Sequence, residues 1–185
     1  MSINQVKESF ILLHSQMRKY NFSKTSGFDW WSEQHILTHV RFYLLGYFGA
    51  ITPEVKTELI GRPTKKGYFD FVVNNIAIEL AVRTPYTHAT TLTFNTNRTE
   101  IKKLMRRKKD RPNLKYGVSV LLDFSKKCLT NEHFEAYRSS KKLVSGNYKK
   151  DNFSILYIYI NENKKSDYKK KYINVWNYVC SYKGY

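Results

Sequence analysis

Hydrophobic and polar positions alternate along residues 68–83, and this alternation predicts two short β-strands. Every second residue from Ile76 to Val82 is a large aliphatic one, which is typical of a strand with one face in a core. Asn74 and Asn75 separate this run from the apolar residues before it, and asparagine tolerates the positive φ angles of a two-residue hairpin turn. We therefore expect an antiparallel β-hairpin with Asn74-Asn75 as its loop.

This register places two acidic residues, Asp70 and Glu79, directly opposite each other. Opposed side chains of an antiparallel pair lie about 5 Å apart at Cβ, where two carboxylates repel unless a cation lies between them. A divalent metal ion with oxygen ligands meets that requirement. The alternative is a pair of solvated acids on an exposed hairpin. The apolar neighbours favour the metal, because unpaired acids are costly in a buried strand.

Apolar residues at helical spacing predict helices on both sides of the hairpin. The expected helices are 2–20, 29–48, 97–109 and an aromatic stretch within the lysine-rich tail 161–185. Asp29 is a plausible N-cap of the second helix, and Asn97 with Glu100 resembles a capping pair for the third.

Further strands are predicted around the hairpin. They are 55–60, 116–124 and 153–160, and a basic loop, 61–67, leads from the first of them into the hairpin. A helix lies between the strands 76–84 and 116–124, which implies a parallel crossover connection. We expect one α/β domain over residues 1–185, with a mixed central sheet flanked by helices.

Charge composition points to a polyanionic partner. The chain has 32 Lys and Arg against 15 Asp and Glu, a formal net charge of +17, which favours capture of nucleic acid without separating DNA from RNA. No apolar run is long enough to span a bilayer and no basic amphipathic anchor is evident, so we expect no membrane partner. Met1 does not open a secretory pattern, and Cys128 and Cys180 lack metal-ligand spacing, so we expect free thiols in the cytoplasm.

The two acids and the predicted order helix–strand–strand–strand–helix–strand resemble the PD-(D/E)xK nuclease superfamily, which has the restriction-endonuclease-like fold. The resemblance covers about residues 29–124. It implies an αβββαβ core, here with extra N- and C-terminal helices. It also implies an endonuclease, restriction-like or junction-resolving, that acts on DNA with Mg²⁺ or Mn²⁺ held by Asp70, Glu79 and the carbonyl oxygen of Leu80.

The motif departs from the superfamily at one position. The pattern implies a catalytic lysine two residues after Glu79, where this chain has Ala81. Three explanations stay open: an accidental resemblance, a natural binding protein that has lost its chemistry, or a deliberate Lys→Ala change. We favour the last, because one substitution restores the whole motif, and we expect the chain as written to be inactive or impaired. Arg83 shares this strand face, but a guanidinium stays protonated and is not a general base.

Additional acids are candidates for the same site. Members of the superfamily often place a glutamate on the helix before the first strand, and Glu33 occupies the corresponding helix here. An acid in a first helical turn is equally explained by the helix dipole. Glu58 is a second candidate if its strand turns that side chain toward Asp70. His35 and His39 have i, i+4 spacing, which is weak support for a metal site.

Basic residues near the hairpin and on the third predicted helix are candidates for phosphate contacts. They are Arg62, Lys65, Lys66, Arg83, Arg98, Lys102, Lys103, Arg106 and Arg107. For the helical members, a solvated face with cations near a helix C-terminus is the plain alternative.

Two classes of function remain open from the sequence. The first is a metal-dependent DNA endonuclease, and the second is a non-catalytic nucleic-acid-binding protein on the same fold. A double-strand cutter with one site per chain needs two copies or two successive nicks, and we expect a two-fold symmetric homodimer.

Overall fold

The computed structural model describes residues 2–19, 33–49, 52–59, 62–84, 87–88, 90–125, 129, 131–138, 153–160 and 173–180. Four helices lie in these ranges: α1 (Ile3–Lys19), α2 (Glu33–Phe48), α3 (Arg98–Asp110) and α4 (Asn131–Arg138). Six strands accompany them: β1 (Thr52–Leu59), β2 (Arg62–Val73), β3 (Ile76–Arg83), β4 (Tyr116–Asp123), β5 (Phe153–Ile160) and β6 (Ile173–Cys180).

The six strands form one mixed sheet in the order of the sequence. Strands β1, β2 and β3 are antiparallel neighbours, β3, β4 and β5 are parallel, and β6 runs antiparallel to β5. The chain passes from β3 through α3 to the parallel strand β4, so the predicted crossover is confirmed. The predicted α/β class with a mixed sheet is confirmed as well.

Helices cover both faces of this sheet. On one face α1 and α2 bury Phe10 and Val40 against aliphatic residues of β3, β4 and β5. On the other face α3 buries Ile101 and Leu104, and α4 contributes Tyr137. Because both faces are covered, all eight residues of β3 are buried, as in the parallel strands of α/β proteins.

The central hairpin has the predicted register. Val73 lies opposite Ile76, and Phe71 lies opposite Ile78. Asn74 adopts a positive φ of 53°, as the tight turn requires of its first residue. The hairpin and its loop are therefore confirmed.

Two elements at the edges of the sheet were predicted wrongly. Residues 62–67, expected in a basic loop, belong to β2, which pairs with β1. Strand β1 begins at Thr52 rather than at residue 55. Residues 173–180, expected as an aromatic helix, form the edge strand β6. Its isoleucine, valines, tryptophan and tyrosine have high β propensity, and pairing with β5 decides between the two states.

Two details of the helices differ from expectation. Asn97 precedes α3, but its side chain makes no capping hydrogen bond. Its amide donates instead to the carbonyl oxygens of Thr91 and Thr93, so it fastens the preceding loop. Helix α4 has no counterpart in the predicted elements. No helix within the ranges given above is long and apolar enough to cross a membrane.

Candidate active site

Asp70 and Glu79 lie side by side where the hairpin pairing ends. Recorded pairs of β2 with β3 run from Val73–Ile76 to Phe71–Ile78. Beyond them, the backbone N–H of Leu80 donates to Oδ2 of Asp70 over 2.7 Å, so a carboxylate takes the place of a strand carbonyl. Asp70 is half-buried and Glu79 is 2% exposed. The acids therefore meet in the interior, as the hairpin register predicted.

A lysine from helix α3 completes this cluster. The Nζ atom of Lys103 lies 2.7 Å from Oε1 of Glu79 and donates a 2.6 Å hydrogen bond to the carbonyl oxygen of Tyr68. The first contact is close enough for an ion pair, but its angles are poor for a hydrogen bond, and Oε1 accepts none. Lys103 is 8% exposed, so it does not lie on an exposed basic face of α3.

The carboxyl groups are destabilised in their charged forms. Burial, followed by the charge of Asp70, raises the pKa of Glu79 well above its ordinary value, against the opposing effect of Lys103. Burial also raises the pKa of Asp70, although the hydrogen bond from Leu80 and the charge of Lys103 lower it. The charge of Glu100, one turn before Lys103 on α3, raises the pKa of both groups. The acidic groups are therefore only partly neutralised.

The side chain of Glu100 supports the same conclusion. Its Oε2 atom is buried and accepts no hydrogen bond. Among the described side chains, three carboxyl groups thus share one neighbourhood with one ammonium in contact, that of Lys103. Such an excess of negative charge is what a bound divalent cation would neutralise.

The oxygens present suit magnesium better than a closed structural metal site. In a strand, the N–H and C=O of one residue face the same neighbouring strand. The carbonyl of Leu80 therefore faces β2, as its N–H does, beside the carboxylates of Asp70 and Glu79. Among the described residues no three His, Cys, Asp or Glu side chains are grouped to hold a metal by themselves. Magnesium commonly uses one or two carboxylates and takes its other oxygens from water and substrate phosphates.

Ala81 is packed in the core rather than facing an open site. It is 5% exposed and belongs to the apolar cluster under α3 that includes Ile101 and Leu121. A lysine at this position would have to thread a charged chain through that cluster. The packing around position 81 therefore leaves little room for the lysine of the motif.

The two further candidate acids are not brought to the site by what the structure describes. Glu33 is the first residue of α2, and its side chain lies outside the described residues. Glu58 pairs with Lys66, four residues before Asp70, which separates it from that residue by about 13 Å along the strand. The register thus contradicts the meeting of Glu58 with Asp70. His35 and His39 are exposed on α2.

Several of the predicted phosphate contacts are also wrong, because the side chains are buried. Arg83 pairs with Asp123 inside the sheet, where its Nε donates to Oδ1 over 3.0 Å. Arg107 donates to the carbonyl oxygens of Leu104 and Lys115, and it packs so closely on Gly117 that a Cβ there would lie 3.2 Å from its Nη1. Arg106 is 4% exposed.

The other predicted contacts stay predictions. Arg98 is exposed and Lys102 is half-buried on α3. The side chains of Arg62, Lys65 and Lys66 lie outside the described residues, although their backbones belong to β2.

Sequence reasoning missed the roles of Lys103 and Glu100 at the acid pair. A signal for them exists: the two residues are three apart, and they flank the apolar stripe of Ile101 and Leu104 that packs on the sheet. Residues three apart share a helix face, so this pair was a candidate for the same buried site.

Comparison of this chain with protein-family models, with curated proteins and with solved structures gives no significant match.

Proposed function

We propose that this protein is a metal-dependent phosphodiesterase that cleaves DNA. The observation that carries the proposal is the pair Asp70 and Glu79, buried side by side at the end of a hairpin with more negative charge than Lys103 neutralises. A structural ion pair has no need of a surplus carboxylate, whereas a magnesium site does.

The resemblance to the PD-(D/E)xK superfamily supports the same function. The motif acids come from the two strands that the superfamily uses, and the elements from α2 to β4 follow its order of helix, three strands, helix and strand. The proposed restriction-endonuclease-like core adds α1 and the strands after β4. Ala81 is the single departure within the motif.

The residues of the site suit hydrolysis of a phosphodiester. A divalent ion held by Asp70, Glu79 and the Leu80 carbonyl would supply Lewis-acid stabilisation of the charge that develops on phosphate oxygens. The hydrogen bond from Leu80 to Asp70 fixes one carboxylate, and the contact with Lys103 fixes the other. Both acids are therefore oriented before a substrate binds, which lowers the cost of ordering the site.

The charge of the chain suits a nucleic-acid substrate. A formal net charge of +17 raises the affinity for phosphate backbones and accelerates their capture. We favour DNA over RNA because the resembling superfamily acts mostly on DNA. A homodimer would let one assembly cut both strands.

A cleavage assay tests this function. Purified protein is incubated with supercoiled plasmid, branched DNA and RNA in Mg²⁺, in Mn²⁺ and in a chelator. We expect metal-dependent cleavage of DNA that the double variant Asp70→Asn with Glu79→Gln abolishes. Glu132→Gln is the matched control, since it removes an exposed carboxylate of α4 and should leave cleavage unchanged.

The second candidate is a nucleic-acid-binding protein without catalytic activity. Ala81 favours it, because the lysine of the motif is missing. Two observations together would favour this candidate. The protein would bind DNA with a steep salt dependence, and no substrate of the panel would be cleaved either by the chain with Ala81 or by an Ala81→Lys variant that folds and binds DNA.

A further inference from the structure

Lys103 brings a charged nitrogen to the acid pair from helix α3, and that helix packs on the same apolar cluster as Ala81. We propose that Lys103 is a catalytic residue, which supplies from helix α3 the positive charge of the lysine that is absent at position 81. The chain with Ala81 is then an active nuclease. The inference rests on the proposed function. It differs from the expectation from sequence, because the sequence alone predicts that the protein with Ala81 is impaired.

The contacts of Lys103 place its ammonium between strands β2 and β3. Its Nζ lies 2.7 Å from Glu79 on β3 and 2.6 Å from the carbonyl oxygen of Tyr68 on β2, two residues before Asp70. A lysine ammonium carries three donors. Among the described residues, the Tyr68 carbonyl takes one of these donors, and the contact with Glu79 is an ion pair without hydrogen-bond geometry. The ammonium therefore keeps donors for an oxygen of the substrate phosphate.

The residues around Glu79 explain why the lysine arrives from the helix. Ala77 and Ala81 are its neighbours on the same strand face, and both are buried in the cluster that α3 covers. Their small side chains let the helix lie close to β3, and Leu104, next to Lys103, is fully buried there. Ala81 and Lys103 are thus complementary, since a long side chain at position 81 would displace the helix that carries the ammonium.

The ammonium acts by electrostatic stabilisation. During hydrolysis a water oxygen forms a bond to phosphorus while the bond from phosphorus to the leaving sugar oxygen breaks, and that oxygen keeps the electron pair. The attacking water loses a proton to solvent, and the leaving oxygen gains one from solvent, so no oxidant or further reactant is needed. The Nζ of Lys103 donates to a non-bridging phosphate oxygen, where negative charge grows.

Charge removal at Lys103 tests the proposal. We expect Lys103→Met to lower DNA cleavage by about a hundredfold or more, the usual effect of losing one group that stabilises a transition state. Lys7→Met is the matched control, because it removes the same charge from a half-buried lysine of α1, on the other face of the sheet, and should leave cleavage within about threefold. Lys103→Gln, which keeps an N–H for Tyr68, serves if the methionine variant does not fold.

A second measurement separates catalysis from assembly of the site. Calorimetric titration with Mn²⁺ should give the Lys103 variants an affinity no weaker than that of the starting protein, because a competing cation has been removed. Loss of Mn²⁺ binding together with cleavage would overturn the proposal, since Lys103 would then only organise the carboxylates.

The remaining outcomes separate this inference from the proposed function. Cleavage retained in both Lys103 variants would overturn the role of Lys103 while the nuclease stands. An inactive starting protein that Ala81→Lys activates would likewise overturn it, and the function would survive in an impaired form. Inactivity of the starting protein and of Ala81→Lys, with Mn²⁺ and DNA bound, would remove the proposed function as well.

Discussion

The sheet holds two buried acidic sites, which differ in how fully hydrogen bonds and opposite charges compensate their carboxyl groups. Asp123, at the end of β4, is fully buried, and its carboxylate accepts hydrogen bonds from Arg83, from the hydroxyl of Tyr157 at 2.6 Å and from the N–H of Ser125 at 2.9 Å. Among the described residues, Asp70 accepts from one backbone N–H, Glu79 contacts the Lys103 ammonium, and the two carboxyl groups hydrogen-bond to each other. Burial nevertheless raises the pKa of both.

The difference shows that a buried acid is not in itself a functional site. At Asp123 a guanidinium and two further donors satisfy both carboxylate oxygens, so the cluster joins β3, β4 and β5. At the acid pair the described donors are fewer, and they do not offset the effect of burial, which raises the pKa of both carboxyl groups. A site with that imbalance is poised to take up a cation, whereas the Asp123 cluster is complete.

The largest effect should come from breaking the complete cluster. Asp123→Ala leaves the buried guanidinium of Arg83 without its counter-charge, and removal of one partner from a buried ion pair typically costs about 3–5 kcal/mol. We expect a loss of this size in urea denaturation. A loss below about 1 kcal/mol would mean that solvent reaches the cluster.

The next effect should be stabilisation by a metal at the incomplete site. At a free Mn²⁺ concentration one hundred times its dissociation constant, binding adds about 2.7 kcal/mol to the free energy of unfolding. Thermal unfolding with and without Mn²⁺ measures it. The variant with Asp70→Asn and Glu79→Gln should show no such gain, and Glu132→Gln should show all of it.

The pH dependence of stability should follow from Glu79. Its folded pKa is raised, so the folded chain binds more protons than the unfolded chain once the pH exceeds the ordinary carboxyl pKa. Stability should therefore be highest below the ordinary pKa and fall as the pH rises through the raised one, by about 1.4 kcal/mol per unit of difference. Urea denaturation from about pH 4 to about pH 8 covers the range in which a carboxyl group with a raised pKa loses its proton. It measures how the free energy of unfolding changes with pH, and saturating Mn²⁺ should reduce that change.

The smallest effect should be a change in the free energy of unfolding whose sign differs between the two sites. Asp70→Asn removes a charge whose neighbours disfavour it but leaves an oxygen for the N–H of Leu80. We expect a gain of roughly 1 kcal/mol in unfolding free energy at neutral pH, opposite in direction to the loss from Asp123→Ala. Destabilisation by Asp70→Asn would indicate that the acid pair is already balanced.

The sequence by itself determined the parts of the molecule that depend on neighbouring residues. Alternation and the Asn74-Asn75 turn predicted the central hairpin, and a hairpin with a two-residue loop fixes which residues face each other. The meeting of Asp70 with Glu79 is a consequence of that local geometry. The long interval between two apolar strands predicted the crossover through α3 in the same way.

The tertiary structure decided everything that depends on which surface meets which. Three of the cationic residues assigned to an exposed face of α3, Lys103, Arg106 and Arg107, are buried, because the helix packs on the sheet with a face wider than its apolar stripe. Residues 173–180 become a strand because β5 offers an edge to pair with. Lys103 reaches Glu79 only because α3 lies against the small side chains of β3. Local sequence patterns fix secondary structure and register, whereas the contacts of a long charged side chain depend on the distance and rotation of a whole helix, which packing alone sets.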